Sequence, residues 1–189
     1  MALRQVRVES GIIEGLPCGN TSISVFKGIP YAAPPVGELR WKAPQPVKPW
    51  EGVYQAYKFM PISAQAIEAH TFYSKEFYKC REGMSEDSLY LNVWTPAVKD
   101  DEKLPVMMYI HGGGFQSGYS YEMEFDGEGF AKRGVILVTI AYRLGSLGFM
   151  AHPELTAEGG ELKSGNYGTL DQIAALKWIK RNIAAFADV

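Results

Sequence analysis

The sequence is poor in the residues that build disulfide frameworks and metal clusters. It has two cysteines and three histidines in 189 residues. Cys18 and Cys80 lie far apart, and His70, His111 and His152 are scattered singly along the chain. Neither pattern has the spacing of a zinc site or a disulfide-rich domain. We therefore expect two reduced thiols, no metal and no organic cofactor.

Long apolar runs and an excess of one charge are missing as well. No stretch reaches the roughly 18 apolar residues that cross a bilayer, and the first residues lack the apolar core of a secretory signal. The net charge is −2, without the basic stripe typical of nucleic-acid binding. These absences predict a cytoplasmic protein with no nucleic-acid partner and no membrane partner.

What the sequence does contain is enough apolar material for one packed domain. Hydrophobic residues make up 47% and aromatic residues 13% of the chain, which is typical of globular proteins and not of disordered ones. We expect residues 1–189 to belong to a single domain.

The first third of the chain is predicted to be rich in strands. Alternation and turn residues indicate strands at 5–9, 11–16 and 23–26. The prolines of 30–37 predict extended irregular chain, because proline removes the donors of a sheet ladder. Residues 54–83 are only weakly periodic and are expected to form surface loop with short helical pieces.

The middle of the chain predicts a strand–helix–strand unit. Residues 89–95 alternate as a strand, whereas 106–110 and 135–140 are continuous apolar runs. Such runs are typical of parallel strands that are buried on both faces. A short helix within 122–133 would connect them as a βαβ unit.

The last element has the clearest helical period. Apolar residues recur every three or four positions, which predicts an amphipathic helix over 169–186 that lies on a sheet. The predicted apolar stripe consists of Leu170, Ile173, Leu176, Ile179, Ile183 and Phe186. Asp171 lies near the start of this helix, where the helix dipole favours a carboxylate.

Three consecutive glycines follow the apolar run 106–110 directly, in His111–Phe115. Glycine allows the backbone to approach a ligand closely with its N–H groups, although its chain entropy makes it costly. In acyl transfer, such N–H groups stabilise the negative oxygen of the intermediate, each by roughly 3 kcal/mol. Lipases and esterases carry this motif after a buried strand. The alternative is an ordinary glycine-rich turn.

Longer segments then match one enzyme family in the same order along the chain. They are Phe26–Trp41 (FKGIPYAAPPVGELRW), Ser85–Trp94 (SEDSLYLNVW), His111–Phe115 (HGGGF), Ala141–Phe149 (AYRLGSLGF) and Gly165–Trp178 (GNYGTLDQIAALKW), which continues to Asn182–Phe186 (NIAAF). Together they resemble the type-B carboxylesterases, the family that includes the cholinesterases. The match extends over nearly all of this chain but over only about the N-terminal third of the family's length.

The resemblance implies an α/β protein with a partial α/β-hydrolase fold. We expect N-terminal β-hairpins that lead into a mixed, mainly parallel central sheet with flanking helices. Gly113 and Gly114 match the oxyanion-hole glycines of the family. Phe115 and Tyr119, which follow them, are expected to line a substrate pocket. 

The resemblance also implies a structural ion pair between Glu86 and Arg143. Such a pair would tie the segment before the strand at 89–95 to the segment after the strand at 135–140.

The family's catalytic residues are not found in these 189 residues. No Gly-x-Ser-x-Gly occurs in the sequence, and none of the three histidines matches the triad histidine. In the family, the nucleophile follows shortly after the helix that corresponds to 169–186. We therefore expect a chain truncated before the nucleophile elbow, inactive alone, with a complementing C-terminal chain as a candidate partner.

One departure from the family bears on redox state. Family members with a disulfide have cysteine within the Glu-Asp-x-Leu-Tyr-Leu segment, where this chain has Ser88. We expect Cys80 to lack that partner, in agreement with a reducing, cytoplasmic setting.

These observations favour a carboxylic ester hydrolase, acting through an acyl-serine intermediate in the intact parent protein on a small-molecule ester. One alternative is a non-catalytic, esterase-like binding module. Another is a non-functional gene fragment, in which the apolar strands at 106–110 and 135–140 would leave an exposed sheet edge that invites aggregation.

Overall fold

The computed structural model describes residues 2–66, 72–76, 82–99 and 101–187. Within these ranges the strands are β1 (Gln5–Val8), β2 (Gly11–Glu14), β3 (Leu16–Pro17), β4 (Ser24–Pro30), β5 (Val53–Gln55), β6 (Ile62–Ser63), β7 (Met84–Ser85), β8 (Tyr90–Thr95), β9 (Val106–Ile110) and β10 (Ile136–Ile140). The α-helices are α1 (Phe72–Glu76), α2 (Glu128–Ala131), α3 (Gly145–Phe149), α4 (Pro153–Glu158) and α5 (Tyr167–Asn182). Short 3₁₀ turns span Gly37–Leu39, Met123–Phe125 and Ile183–Ala185.

The central sheet has the strand order β3-β4-β8-β10-β9 and is mixed, as expected. Its balance differs from the expectation, because within this sheet the described strands include one parallel pair, β9 with β10. The other parallel pairs among the described strands, β2 with β5 and β6 with β7, lie outside it. The tight turn after β3 forces an antiparallel hairpin with β4, whereas a parallel pair needs a longer crossover. Within this sheet the described chain makes such a crossover between β9 and β10 alone, where α2 and the turn Met123–Phe125 form the expected βαβ unit.

The two strands of this unit are buried to different extents. Every residue of β10 is buried. In β9, Met107 and Ile110 remain 42% and 41% exposed. The expectation that both runs are buried on both faces is therefore wrong for β9, which has a neighbour on one side only among the described strands. The predicted apolar edge is present at β9 and absent at β10.

Helix α5 packs against the sheet, but through a face rotated from the predicted one. Ile179 of α5 is buried, as are Ile183 and Phe186 of the turn that follows, whereas Ile173 and Leu176 are 41% and 50% exposed. Asp171 and Asn182 belong to the buried face instead. Hydrophobic periodicity misplaces this face because it treats every polar side chain as exposed. It cannot account for a polar side chain that is buried against a hydrogen-bonding partner from another segment.

The expected ion pair between Glu86 and Arg143 is not formed. Arg143 donates to Asp171 from its backbone N–H (3.0 Å), from Nε (2.8 Å) and from Nη2 (2.7 Å), and both residues are buried. Glu86 instead accepts two hydrogen bonds from Arg40 at the partly exposed surface (2.6 and 2.7 Å). Asp171 is thus the buried counter-ion of Arg143. Its role extends beyond the favourable interaction with the helix dipole that the sequence predicts.

The residue at the family's cysteine position has a hydroxyl partner. The Oγ atoms of Ser88 and Ser63 lie 2.9 Å apart, and Ser63 donates to the carbonyl oxygen of Tyr142 (2.7 Å).

Cys18 is a free thiol whose pKa is raised to about 11, mainly by burial. The predictions for Cys80 and His70 fall outside the described residues. No helix in the described ranges is long and apolar enough to span a bilayer.

We predict that breaking the buried ion pair of α5 destabilises the fold far more than breaking its exposed pair. Asp171→Asn leaves a buried guanidinium without its counter-ion and should lower the free energy of unfolding by about 3–5 kcal/mol. The matched control is Glu9→Gln, which removes the counter-ion of the exposed Arg181 on the same helix and should cost about 1 kcal/mol or less. Urea unfolding monitored by tryptophan fluorescence measures both. Equal losses would contradict the prediction.

We predict that the edge at β9 limits the solubility of the chain. Met107→Lys places a charge on this edge, where lysine discourages pairing between molecules, and should raise the soluble fraction on expression. Met123→Lys adds the same charge at an exposed methionine outside the sheet and should have a smaller effect. The comparison is made by centrifugation and light scattering, and a similar gain from both variants would remove the edge as the cause.

Candidate functional site

The glycine loop after β9 has a backbone that few residues other than glycine adopt. Gly113, Gly114 and Phe115 have φ values of +102°, +59° and +63°. The carbonyl oxygen of Gly113 accepts from the N–H groups of Gln116 (3.0 Å) and Ser117 (3.2 Å), which closes a tight turn. A Cβ at residue 113 would lie 2.0 Å from the Ser117 carbonyl oxygen. Glycine at 113 is therefore a steric requirement of the turn.

Two glycines of this turn line an open space. Within the described part of the chain, neither Gly113 nor Gly114 donates a backbone hydrogen bond. A Cβ at Gly114 would meet no atom within 4 Å. Both residues line a cleft of about 980 Å³. Two consecutive N–H groups beside such a cleft form an arrangement that can receive an anionic oxygen.

Three segments enclose the cleft, together with Ser74 of α1. They are residues 64–66, residues 113–117 and residues 144–149. Phe115 is 53% exposed, and its ring lies 4.7 Å from that of Phe149. The N–H of Gly145 donates to the Phe115 carbonyl oxygen (2.7 Å), which joins two of the walls.

Of the two aromatic residues expected to line the pocket, the structure brings only Phe115 to the cleft. Tyr119 is buried, and its ring packs at 4.8 Å against that of Tyr121. The expectation for Tyr119 is wrong because the chain turns inward after Gly118, where the Tyr119 N–H donates to the buried carboxylate of Glu122 (2.9 Å).

The chain just beyond the loop is held by a buried polar network. The Asn92 amide in β8 donates to the hydroxyl groups of Ser120 (3.1 Å) and Thr139 (3.0 Å). It also accepts from the Gly28 N–H (2.9 Å) at the irregularity of β4. All these hydrogen bonds join groups within the protein. The network therefore rigidly links the end of the loop to strands β4, β8 and β10.

His111 is the first residue of the loop, and its ring is buried against Tyr142. Its ring stacks on that of Tyr142 (4.5 Å), whose hydroxyl donates to the His111 carbonyl oxygen (3.0 Å). Burial lowers the pKa of His111 to about 4, so the ring is neutral at pH 7. His152 is exposed and accepts from the Glu154 N–H at the start of α4 (3.4 Å). Neither of these two histidines has the surroundings of a catalytic base.

No metal centre is formed by the part of the chain that is described, since no three histidine, cysteine, aspartate or glutamate side chains converge there. The site is thus a glycine loop beside a cleft, on a mixed sheet with flanking helices. This combination is a partial α/β-hydrolase fold.

Solved esterases have the same fold. A PNB esterase matches with a TM-score of 0.84 and 40% identity over 98% of this chain and 36% of its own. The carboxylesterase EST55 of Geobacillus stearothermophilus matches with a TM-score of 0.83 and 40% identity over 98% of this chain and 35% of its own.

The sequence profile of the carboxylesterase family matches residues 2–187, and the chain belongs to that family. It is 42% identical over 180 residues to fumonisin B1 esterase of Sphingopyxis macrogoltabida and 40% identical over 186 residues to cholinesterase of Mus musculus. These matches extend over 94% and 96% of this chain, but over only 31% and 30% of the two relatives. The chain thus spans about a third of the length of its relatives.

Sequence reasoning missed two features of the site. Gln65, whose side-chain amide contacts the glycine loop, lies in a weakly periodic segment without a motif. The second is the Arg143–Asp171 pair, although both residues fall within segments that carry the family resemblance. A search for a carboxylate partner among all those segments would have included Asp171.

We predict that His111 makes stability depend on pH. Its folded pKa of about 4 lies below the value near 6.5 of an unfolded histidine. The unfolded chain therefore binds more protons between these values, and stability falls as the pH falls from 6.5 to 4. His111→Gln should remove about 2–3 kcal/mol of the loss between pH 7.5 and pH 4.5.

The control is the exposed His152→Gln, which should keep the wild-type dependence on pH. Urea unfolding at the two pH values provides the measurement. An unchanged pH dependence in His111→Gln would show that burial of this ring is not the cause.

Proposed function

We propose that this chain forms the oxyanion-binding part of a carboxylic ester hydrolase that works through an acyl-serine intermediate. The observation that carries the proposal is the turn at Gly113 and Gly114. Both residues line the cleft, and their N–H groups donate to no described backbone acceptor. Attack on an ester carbonyl creates a negative oxygen, and preorganised donors stabilise it. Phe115 would contact the acyl group beside this oxygen.

The remaining catalytic parts would come from outside these residues. The 189 residues contain no Gly-x-Ser-x-Gly, and the relatives are about three times as long. The serine, the acid, the histidine and the third oxyanion donor are therefore assigned to a complementing C-terminal part, on the same polypeptide or a second chain. We propose that the 189 residues alone are inactive.

We propose a small-molecule carboxylic ester as the substrate, because the PNB esterase, EST55 and fumonisin B1 esterase are all named as esterases. We further propose a cytoplasmic, reducing location, since Cys18 is a free thiol and Ser63 and Ser88 form a hydroxyl pair. A non-catalytic binding module fits less well, because a binder has no need of two consecutive glycines at positive φ whose N–H groups donate to no described backbone acceptor.

The first test uses the 189-residue chain with p-nitrophenyl acetate. We expect no turnover above that of buffer. Turnover that a serine-directed phosphonate abolishes would contradict the assignment of the nucleophile to another part.

The second test restores the missing parts. The 189 residues replace the matching segment of the PNB esterase, to which they are 40% identical, and the fusion should hydrolyse p-nitrophenyl acetate. Gly113→Ala forces the turn to shift away from Ser117 and should lower kcat by about 10²–10³-fold with little change in KM, because oxyanion contacts act mainly in the transition state.

Gly129→Ala in α2 is the matched control, since its Cβ would meet nothing within 4 Å. It should leave kcat and KM unchanged. If Gly113→Ala behaved like Gly129→Ala, the loop would not be the oxyanion site.

A further inference from the structure

The side chain of Gln65 contacts both peptide groups of a single residue, Gly118. Its Oε1 accepts from the Gly118 N–H (2.8 Å), and its Nε2 donates to the Gly118 carbonyl oxygen (2.9 Å). The same Nε2 donates to the carbonyl oxygen of Ser63 (3.0 Å). Gln65 also lines the cleft beside the glycine loop. One primary amide thus pairs with Gly118 as a neighbouring strand would.

Gly118 lies where the end of the loop returns to its beginning. Its φ is +104°, and a Cβ there would lie 2.5 Å from Nδ1 of His111 and 2.7 Å from the carbonyl oxygen of Gly112. The residue therefore packs directly on the two residues that precede Gly113. A displacement of Gly118 would displace both ends of the turn that contains the oxyanion donors.

The loop has little other external support. Its internal bonds join Gln116 and Ser117 to Gly113. Across the described residues, its other external backbone anchors are the Gly145 N–H on Phe115 and the Tyr142 hydroxyl on His111. In the described part of the chain, no strand pairing includes residues 111–118. Preorganisation is what makes oxyanion donors effective, so a group that holds Gly118 acts on Gly113 and Gly114 as well.

We infer that Gln65 is a positioning residue of the oxyanion loop: its amide clamps Gly118 and thereby presets the Gly113 and Gly114 N–H groups. This role rests on the proposed function of the loop. It requires one donor and one acceptor on the same planar group. An ionised carboxylate lacks the donor and would face the carbonyl oxygens of Gly118 and Ser63, whereas a protonated carboxylic acid would retain both.

The first test needs no activity and uses the full 189-residue chain. Amide hydrogen exchange is measured by NMR for wild type, Gln65→Met and Gln65→Glu, as protection factors that remove the intrinsic effect of pH. Gln65→Met should lower the protection of Gly118 by about ten-fold and shift the amide resonances of Gly113 and Gly114. Gln65→Glu should resemble it at pH 7.5 and recover toward wild type at pH 5.

The control is Gln45→Met, which removes an exposed glutamine whose side chain, among the described residues, donates to the Ala43 carbonyl oxygen alone. Its Gly118 protection and its Gly113 and Gly114 resonances should match those of wild type. Unchanged resonances of Gly113 and Gly114 in Gln65→Met would overturn the inference, because Gln65 would then hold Gly118 without influencing the donors.

The second test measures kinetics in the fusion with the PNB esterase. Gln65→Met should lower kcat by about ten- to hundred-fold with KM nearly constant. For Gln65→Glu, the ratio of its kcat to that of the unsubstituted fusion at the same pH should rise as the pH falls toward 5. Equal kcat in Gln65→Met and wild type would overturn the positioning role. A fusion that is inactive even with Gln65 would count against the proposed function alone, since the exchange result stands independently.

Discussion

The buried ion pair between Arg143 and Asp171 connects the parts of the molecule that the cleft depends on. Arg143 follows β10 and leads into residues 144–149, which form one wall of the cleft, while Asp171 lies on α5. Because the pair uses the backbone N–H of Arg143 as well as its side chain, it fixes the path of the chain and not only a rotamer. Gly148 and Gly168 allow the close approach, since a Cβ on either would lie within 2.5 Å of the Arg143 carbonyl oxygen.

A buried pair of this kind does not by itself imply a large net gain in stability, because desolvation of two charges offsets their attraction. Its structural effect is specificity. Helix α5 could otherwise rest on the sheet through its longer apolar stripe, with Ile173 and Leu176 inward. The need to bring Asp171 to Arg143, and Asn182 to the Glu9 N–H (2.7 Å), selects the observed rotation and leaves those two apolar residues exposed.

The glycine loop shows the same division between local and long-range causes. Its turn is local, because the positive φ values and the contact between Gly113 and Ser117 involve neighbouring residues. Its position is long-range: Gln65, Gly145 and Tyr142 each reach it from other segments. Strand β9, in contrast, lacks long-range contacts on one side. Its apolar edge, with Met107 and Ile110 exposed, has no partner in the described residues. This edge fits a chain that spans about a third of the length of its relatives.

The sequence by itself determined the family, the strands at 106–110 and 136–140, the final helix and the glycine loop, because each depends on local pattern or on a contiguous motif. Only the tertiary structure decided the pairing of Arg143 with Asp171 instead of Glu86, the burial of Tyr119 and the contact of Gln65 with Gly118. These depend on which side chains meet after the chain has folded, across separations of 28 and 53 residues for the two contacts formed. Periodicity and composition do not predict such contacts, because a buried polar group is stable only where the fold supplies a specific hydrogen-bonding partner.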